Sequence, residues 1–274
     1  MHSDSSDRST AGAVVDSLQH PVAIELRQLL EQQDRSRIIV DDEENILQAL
    51  RTGTVKIERV FHTQNTALSA ELAAALPPET PILELANRTS KKLFQTSKWA
   101  RIFAVAQTPV TPDLAQLCAL PGDIVVLEHV GISGNAGAIV RTAAAFGVAG
   151  MVLLDSDIDV YDRRLIRASR GHAFTVPLVT ANRAEFVAAI DQSARKLVVT
   201  AGDATETIAG LPEIDARLAI VFGGEKEGCS PELVAAADLT LRIPIEPAVE
   251  SLNVAAAAAI ALHLRYRGSA SQRP

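Results

Sequence analysis

Apolar residues recur along this chain with two spacings, and the spacings alternate. Short unbroken runs such as "IVVL" at 124–127, "MVLL" at 151–154, "LVV" at 197–199 and "LAIVF" at 218–222 are separated by stretches in which apolar positions return every three or four residues. Continuous runs of this length suit strands buried on both faces, and the intervening period suits amphipathic helices. The second half therefore predicts strands at "DIVVLEHV", "GMVLLDSD", "FTVPLVT", "KLVVTAG", "LAIVFGG" and "LTLRIPI". Helices are predicted at "AGAIVRTAAAFG", "RAEFVAAIDQSA", "SPELVAAAD" and "SLNVAAAAAIALHLRYR". Strand and helix in strict alternation imply an α/β fold with a mostly parallel sheet, whose ligands sit at the strand C-termini.

The first half reads as a smaller α/β unit over 21–106. Its helices are expected at "PVAIELRQLLEQQ", "ENILQALRTG", "ALSAELAAALPP" and "TSKKLFQ", and its strands at "SRIIVDD", "VKIERVFHT", "PILELA" and "ARIFAVAQT". Three prolines in "TPVTPDLAQLCALPGD" mark a linker at 107–121. A polar tail over 1–20, a second domain over 122–268 and a short tail over 269–274 complete the expected organisation.

Composition narrows the classes. Of 274 residues, 47% are hydrophobic, enough for a sizeable core. The longest apolar run, "VAAAAAIAL" at 254–262, is far short of the roughly 20 residues of a membrane span. The N-terminus lacks the apolar segment of a secretory signal. Two cysteines, Cys118 and Cys229, lie far apart, and no Cys/His spacing suits a metal. A cytoplasmic protein without metal is expected. The net charge of −7 argues against nucleic acid until its distribution is considered. No acid occurs from Leu85 to Pro112, which carries Arg88, Lys91, Lys92, Lys98 and Arg101. None occurs from Arg163 to Ala184, where "RRLIRASR" gathers Arg163, Arg164, Arg167 and Arg170. Two such patches suit phosphate contacts, although a solvated basic face would look the same.

Three segments at strand ends carry candidate chemistry. "GISGNAG" at 131–137 spaces its glycines G-x-x-G-x-x-G, whereas a dinucleotide fingerprint needs G-x-G-x-x-G. Asp155 at the end of the next strand could still serve as a ribose acid. The sharper feature is Asn135, followed six residues on by Arg141 within an apolar helix. Asn135 reads equally as a helix cap and Arg141 as an exposed or ion-paired residue. "VFGGEKEG" at 221–228 ends a strand in Gly223 and Gly224 before Glu225. "IPIEPAVESLNV" at 243–254 leads into a helix near Ser251 and Asn253. Ser251 alone could be a cap, and Asn253 has no evident packing role.

Together, and in this order, the three segments resemble the SpoU (TrmH-like) branch of the SPOUT RNA methyltransferases. The match runs through Asn135 and Arg141, then Phe222, Gly223, Glu225 and Gly228, then Ile243, Pro244, Ser251, Leu252 and Asn253, over about 120–268. "DSDIDVYDRRLIRASRG" and, more loosely, "KKLFQTSKWARIFAVA" resemble the thiostrepton and nosiheptide resistance methyltransferases, in which a ribosomal-protein-like RNA-binding domain precedes the catalytic one. This resemblance implies a deep trefoil knot that binds S-adenosyl-L-methionine through Thr200, Gly223, Gly224, Ile243 and Leu252. It implies methyl transfer to a ribose 2′-hydroxyl of an adenosine in 23S rRNA, in the GTPase-associated region, and a homodimer. Arg141, Asn135, Glu225, Ser251 and Asn253 would form the catalytic set. Phe94, Lys98, Arg101, Arg167 and Arg170 would contact RNA, with Phe94 stacking on an unpaired base.

Three other readings compete. The same enzyme type could act on another rRNA or tRNA site. A nicotinamide-dependent enzyme explains the glycines and Asp155 but leaves "FGGEKEG" and "SLNV" without a role. A non-catalytic RNA-binding ribosome factor would have no use for an intact Asn135, Arg141 and Glu225.

Overall fold

The structure, a computed structural model, describes residues 14–31, 35–95, 99–224 and 227–270. The chain divides into two units between Pro109 and Val110.

The first unit runs β1 (Val14–Val15), α1 (Pro21–Leu30), β2 (Arg37–Asp41), α2 (Glu43–Arg51), β3 (Ile57–Thr63), α3 (Ala70–Ala75), β4 (Ile82–Leu85), α4 (Asn87–Phe94) and β5 (Ile102–Gln107). Its mixed sheet has the order β1-β4-β3-β5-β2, with β5 antiparallel to both of its neighbours. The helix starts are set locally. Pro21 opens α1 behind the His20 ring, which accepts from the Val22 amide, and Ser69 caps α3 through Leu72 N. Phe61, Phe94 and Phe103 lie in the core, Phe61 stacked on Phe103 at 4.8 Å and Phe94 edge-on to it at 5.1 Å.

The second unit continues with α5 (Leu114–Ala119), β6 (Ile124–Glu128), α6 (Ser133–Ala145), β7 (Gly150–Leu154), α7 (Arg163–Ala168), β8 (Leu178–Ala181), α8 (Arg183–Asp191), β9 (Arg195–Thr200), β10 (Glu206–Thr207), β11 (Arg217–Gly223), α9 (Pro231–Ala236), β12 (Leu239–Arg242) and α10 (Val254–Ala270). Its seven strands follow the order β10-β12-β9-β11-β6-β7-β8, and every pairing is parallel. All the strand C-termini therefore share one edge. Val126, Val152, Val199 and Val221 face α5, α8 and α9 through Leu117, Phe186 and Leu233. The alternate positions Val125, Leu153, Val198 and Ile220 are equally buried, and α10 lies against β11 and α6.

Two arginines anchor this frame. Arg195 on β9 is buried and donates to the carbonyls of Cys118, Leu120 and Gly122, fixing the end of α5 ahead of β6. Arg265 on α10 donates to Asp123 Oδ2 at 2.8 Å and to Ile214 O at 2.6 Å. The far end of α10 is thus pinned beside the start of β6, while its first turn reaches the opposite edge of the sheet.

Several boundaries differ from expectation. Residues 107–121 are not a bare linker: Asp113 caps α5 in a reciprocal capping box, and Leu117 and Cys118 enter the second core. The expected tail contributes Val14 and Val15 as a short strand beside β4. "RRLIRA" is helix α7, started by Asp162, whose carboxylate accepts from the Arg164 and Leu165 amides. The last helix starts at Val254, not at Ser251.

Candidate active site

Three chain segments leave the C-terminal edge of the sheet and enclose one cavity of ≈530 Å³. Thr200 ends β9, Phe222 and Gly223 end β11, and Ile243 follows β12. Thr200, Gly223, Gly224, Ile243 and Leu252, the residues expected to bind cofactor, all line this cavity, and so does Ser251. Apolar lining comes from Leu241, Val254 and Ala257, and carboxylates from Asp203, Glu227 and Glu250.

The backbone shapes these walls. Thr200 Oγ1 donates to Val221 O at 2.8 Å, and Cys229 Sγ to Thr200 O at 3.5 Å, tying β9 to the turn after β11. A Cβ on Gly223 would lie 2.1 Å from Gly228 C, and one on Gly224 would lie 2.5 Å from His129 O. Glycine at these two positions lets strands and turn close on each other, a packing requirement. At Gly202, also on the cavity, a Cβ would meet nothing within 4 Å. The pKa of the Cys229 thiol is pushed up to about 12, first by burial and then by the charge of Glu128.

Asn135 and Asn253 meet at the edge of this cavity. Asn253 Nδ2 donates to Asn135 Oδ1 at 3.3 Å, while Asn253 Oδ1 accepts from the amides of Ala255 at 2.9 Å and Ala256 at 3.4 Å. Asn253, not Ser251, caps α10. Asn135 is not a cap either: it is the third residue of α6, whose cap position is Ile132. Arg141, farther along α6, is exposed and makes no hydrogen bond or ion pair among the described residues. Glu225 lies outside the described residues, as does Lys98.

The RNA-contact set is divided by the structure. Phe94 is only 5% exposed and packs edge-on to Phe103, so its ring is unavailable for stacking on a base. It sits on the inner side of α4 with Thr89, Ser90 and Leu93. Arg88, Lys91 and Lys92 occupy the outer side, and all three are exposed. Arg101 is exposed ahead of β5. Arg167 is half-buried on α7, and Arg170 is exposed with left-handed backbone, φ 52°.

The glycine-rich segment at 131–137 is not a phosphate cradle. Helix α6 begins inside it, and a Cβ on Gly137 would lie 2.6 Å from Ala168 Cβ and 2.8 Å from Leu165 O. Gly137 serves the close approach of α6 and α7. Asp155, the ribose acid of the nicotinamide reading, is instead 3.5 Å from Arg183 NH2.

That guanidinium belongs to a cluster that sequence reading missed. Glu128, at the end of β6, is fully buried. Its Oε1 accepts from Arg183 Nε at 2.7 Å and its Oε2 from the Ser230 amide at 2.7 Å. Arg183 also lies 3.3 Å from His129 Nε2 and 3.8 Å from Glu232. Its pKa is raised, chiefly by the hydrogen bond to Glu128. Among the described residues no cluster of three or more His, Cys, Asp or Glu could hold a metal, and no helix is long and apolar enough to cross a membrane.

The second unit is thus a parallel α/β domain with a small-molecule cavity walled by backbone at its strand C-termini and an Asn pair beside it. Residues 123–263 match the family model described as SpoU rRNA Methylase family, and residues 12–120 match the thiostrepton-resistance methylase N terminus. The chain belongs to the SpoU rRNA methylase family. It is 40% identical over 237 residues to the 23S rRNA (adenosine(1067)-2'-O)-methyltransferase of Streptomyces laurentii, covering 86% of this chain and 87% of that one. Its identity to the enzyme of the same name from Streptomyces azureus is 35% over 229 residues, covering 83% and 85%. The fold is shared with an AdoMet-bound rRNA methyltransferase from Sinorhizobium meliloti, with a TM-score of 0.81 and 23% identity over 93% of this chain and 97% of that one.

Proposed function

We propose that this protein transfers a methyl group from S-adenosyl-L-methionine to the 2′-hydroxyl of an adenosine in the GTPase-associated region of 23S rRNA, and that the modification confers thiopeptide resistance. The observation that carries this reading is the convergence of Thr200, Gly223, Gly224, Ile243, Ser251 and Leu252, from three separate segments, on one cavity beside the Asn135–Asn253 contact. The RNA target comes from the two Streptomyces relatives.

The cavity suits the cofactor. Its volume falls within the range of about 300–1,000 Å³ usual for small-molecule sites. Its apolar lining can hold a ring, open backbone at Gly202 offers polar groups without side-chain obstruction, and Asp203, Glu227 and Glu250 complement positive charge. When bound, the cofactor supplies a methyl group already activated by a sulfonium, so the chain's own task is alignment and charge stabilisation. Arg141 is placed on the nucleophile side. A guanidinium is a delocalised cation and a poor proton acceptor, so it acts more readily as a fixed cation for a phosphate or a developing alkoxide than as a base. Asn135, held by Asn253, orients the ribose, Ser251 borders the cavity, and Glu225, outside the described residues, joins the catalytic set by the resemblance alone.

RNA engages two surfaces in this reading. One is Arg88, Lys91 and Lys92 on the outer side of α4, with Arg101; Lys98 joins it by sequence alone. The other is Arg167 and Arg170. The resemblance also brings the knot, formed by the segment after β12, and a homodimer through α10, which exposes Ile260 and Tyr266. The protein acts in the cytoplasm, where its substrate is.

A 2′-O-methyl removes a donor and adds bulk within an antibiotic site, which lowers ligand affinity by roughly a hundredfold or more. The test is expression in a thiopeptide-sensitive bacterium with mapping of 2′-O-methyl groups in 23S rRNA. One new methylated adenosine in the GTPase-associated region, with resistance to thiostrepton and nosiheptide, is expected. A methyl elsewhere with full sensitivity would refute the target, and no new methyl from active, soluble protein would refute the activity.

A further inference from the structure

Glu128 ends an otherwise apolar strand, and its side chain is fully buried. An isolated carboxylate there would cost several kcal/mol, and even a paired one gains little over a well-packed apolar residue. What it holds is therefore the informative part. Each oxygen has one donor at 2.7 Å: Arg183 Nε, from the first residue of α8, and the backbone amide of Ser230.

Ser230 is where the cavity wall meets the scaffold. Gly228, Cys229 and Pro231, its neighbours, line the cavity. Gly228 is bridged back to Gly224, its amide donating to Gly224 O at 2.9 Å. Ser230 Oγ accepts from Leu233 N as the cap of α9. On the other side, His129 O presses so closely on Gly224 that no side chain fits between them.

We propose that Glu128 and Arg183 are positioning residues for the cofactor cavity: the carboxylate, held in place by the guanidinium, fixes the Ser230 amide and with it the Gly228–Pro231 wall. The inference rests on the cofactor reading given above. Neither residue lines the cavity, so both act through the backbone they hold.

The test measures S-adenosyl-L-methionine affinity by calorimetry, RNA affinity by filter binding and thermal midpoint, for wild type, Glu128→Gln, Arg183→Met and the double variant. Glu128→Gln turns an amide NH2 toward one of the two donors, and Arg183→Met leaves a buried carboxylate short of its charged partner. Each single variant should weaken cofactor binding about tenfold, with RNA affinity within about twofold of wild type. The double variant should lose no more than the worse single variant, because both residues act on the one Ser230 amide. Single variants with wild-type cofactor affinity would overturn the inference alone. So would a double variant whose loss is the sum of the two single losses, or single variants unfolded at the assay temperature, which would assign the pair to stability. No cofactor binding by wild type would overturn the cofactor reading and this inference with it.

Discussion

Asn253 serves two partners with one amide, and its two atoms can be separated by substitution. Oδ1 caps α10 and Nδ2 reaches Asn135. Asn253→Asp keeps a capping oxygen but places a carboxylate against Asn135 Oδ1. The expected result is a thermal midpoint within a few degrees of wild type with methylation at least tenfold slower. Unchanged activity and stability would instead mark a cap and nothing more. Arg141 poses the complementary case, a cation exposed on α6 with no partner among the described residues. Arg141→Ala should lower the single-turnover methylation rate by about 10²-fold or more, the usual cost of removing one transition-state donor, and leave cofactor affinity within a few-fold. A near-normal rate would remove Arg141 from the chemistry. The sequence offered Ser251 as the cap because Ser251 and Asn253 are equally plausible by type, and the structure gives that role to Asn253. The residue-scale reading failed at Phe94, where composition suggested stacking. Read with Leu93 and the buried Thr89 and Ser90, the aromatic belongs to the inner side of α4. Glu128 and Arg183 are 55 positions apart, and Glu128 and Ser230 are 102 apart. No local pattern encodes such pairs.

At the scale of elements, long apolar runs were legible and short pieces were not. Strands β6, β7, β9 and β11 of the second unit announce themselves because both faces are largely buried. β1 and β10, two residues each, have too little pattern to show. Helix α5 hid among prolines, although Asp113 and Gln116 form a capping box at its start. Helix α7 hid because its arginines suggested a patch before they suggested a helix. The glycines at 131–137 are ambiguous by type, since a packing glycine and a phosphate-binding glycine are identical in sequence. Gly137 separates the two meanings by experiment. Alanine there gains up to about 1 kcal/mol of helix propensity. Its Cβ, however, would sit 2.6 Å from Ala168 Cβ and 2.8 Å from Leu165 O. Overpacking of this kind costs about 1–3 kcal/mol. Gly137→Ala should therefore lower the thermal midpoint by a few degrees while leaving cofactor affinity near wild type. A higher midpoint would show that α6 and α7 can separate without penalty.

At the scale of the whole molecule, the two units have independent cores. One is built around Phe61, Leu85 and Phe103, the other around Val126, Val152 and Phe186. The cofactor cavity lies entirely within the second unit, from Thr200 to Ala257. The basic surface of Arg88, Lys91, Lys92 and Arg101, in which Arg88 lies 3.8 Å from Asp16, belongs to the first. A chain with a net charge of −7 thus keeps basic residues gathered on each unit, and the proposed division of labour can be tested by separating the units. Helix α5 belongs to the second core, so a truncation must keep it; a cut placed at the expected end of the linker would remove Leu117 and Cys118 and confuse stability with function. Residues 110–274 alone should fold, bind S-adenosyl-L-methionine within a few-fold of the full chain, and methylate 23S rRNA at least tenfold more slowly at limiting RNA. That deficit should shrink as RNA concentration rises, because the lost unit contributes affinity and not chemistry. Charge reversal of Arg88, Lys91 and Lys92 in the intact chain should reproduce the same shift in RNA dependence, with a weaker dependence on salt than wild type. Equal activity of the truncated and full chains at every RNA concentration would remove the first unit from substrate recognition.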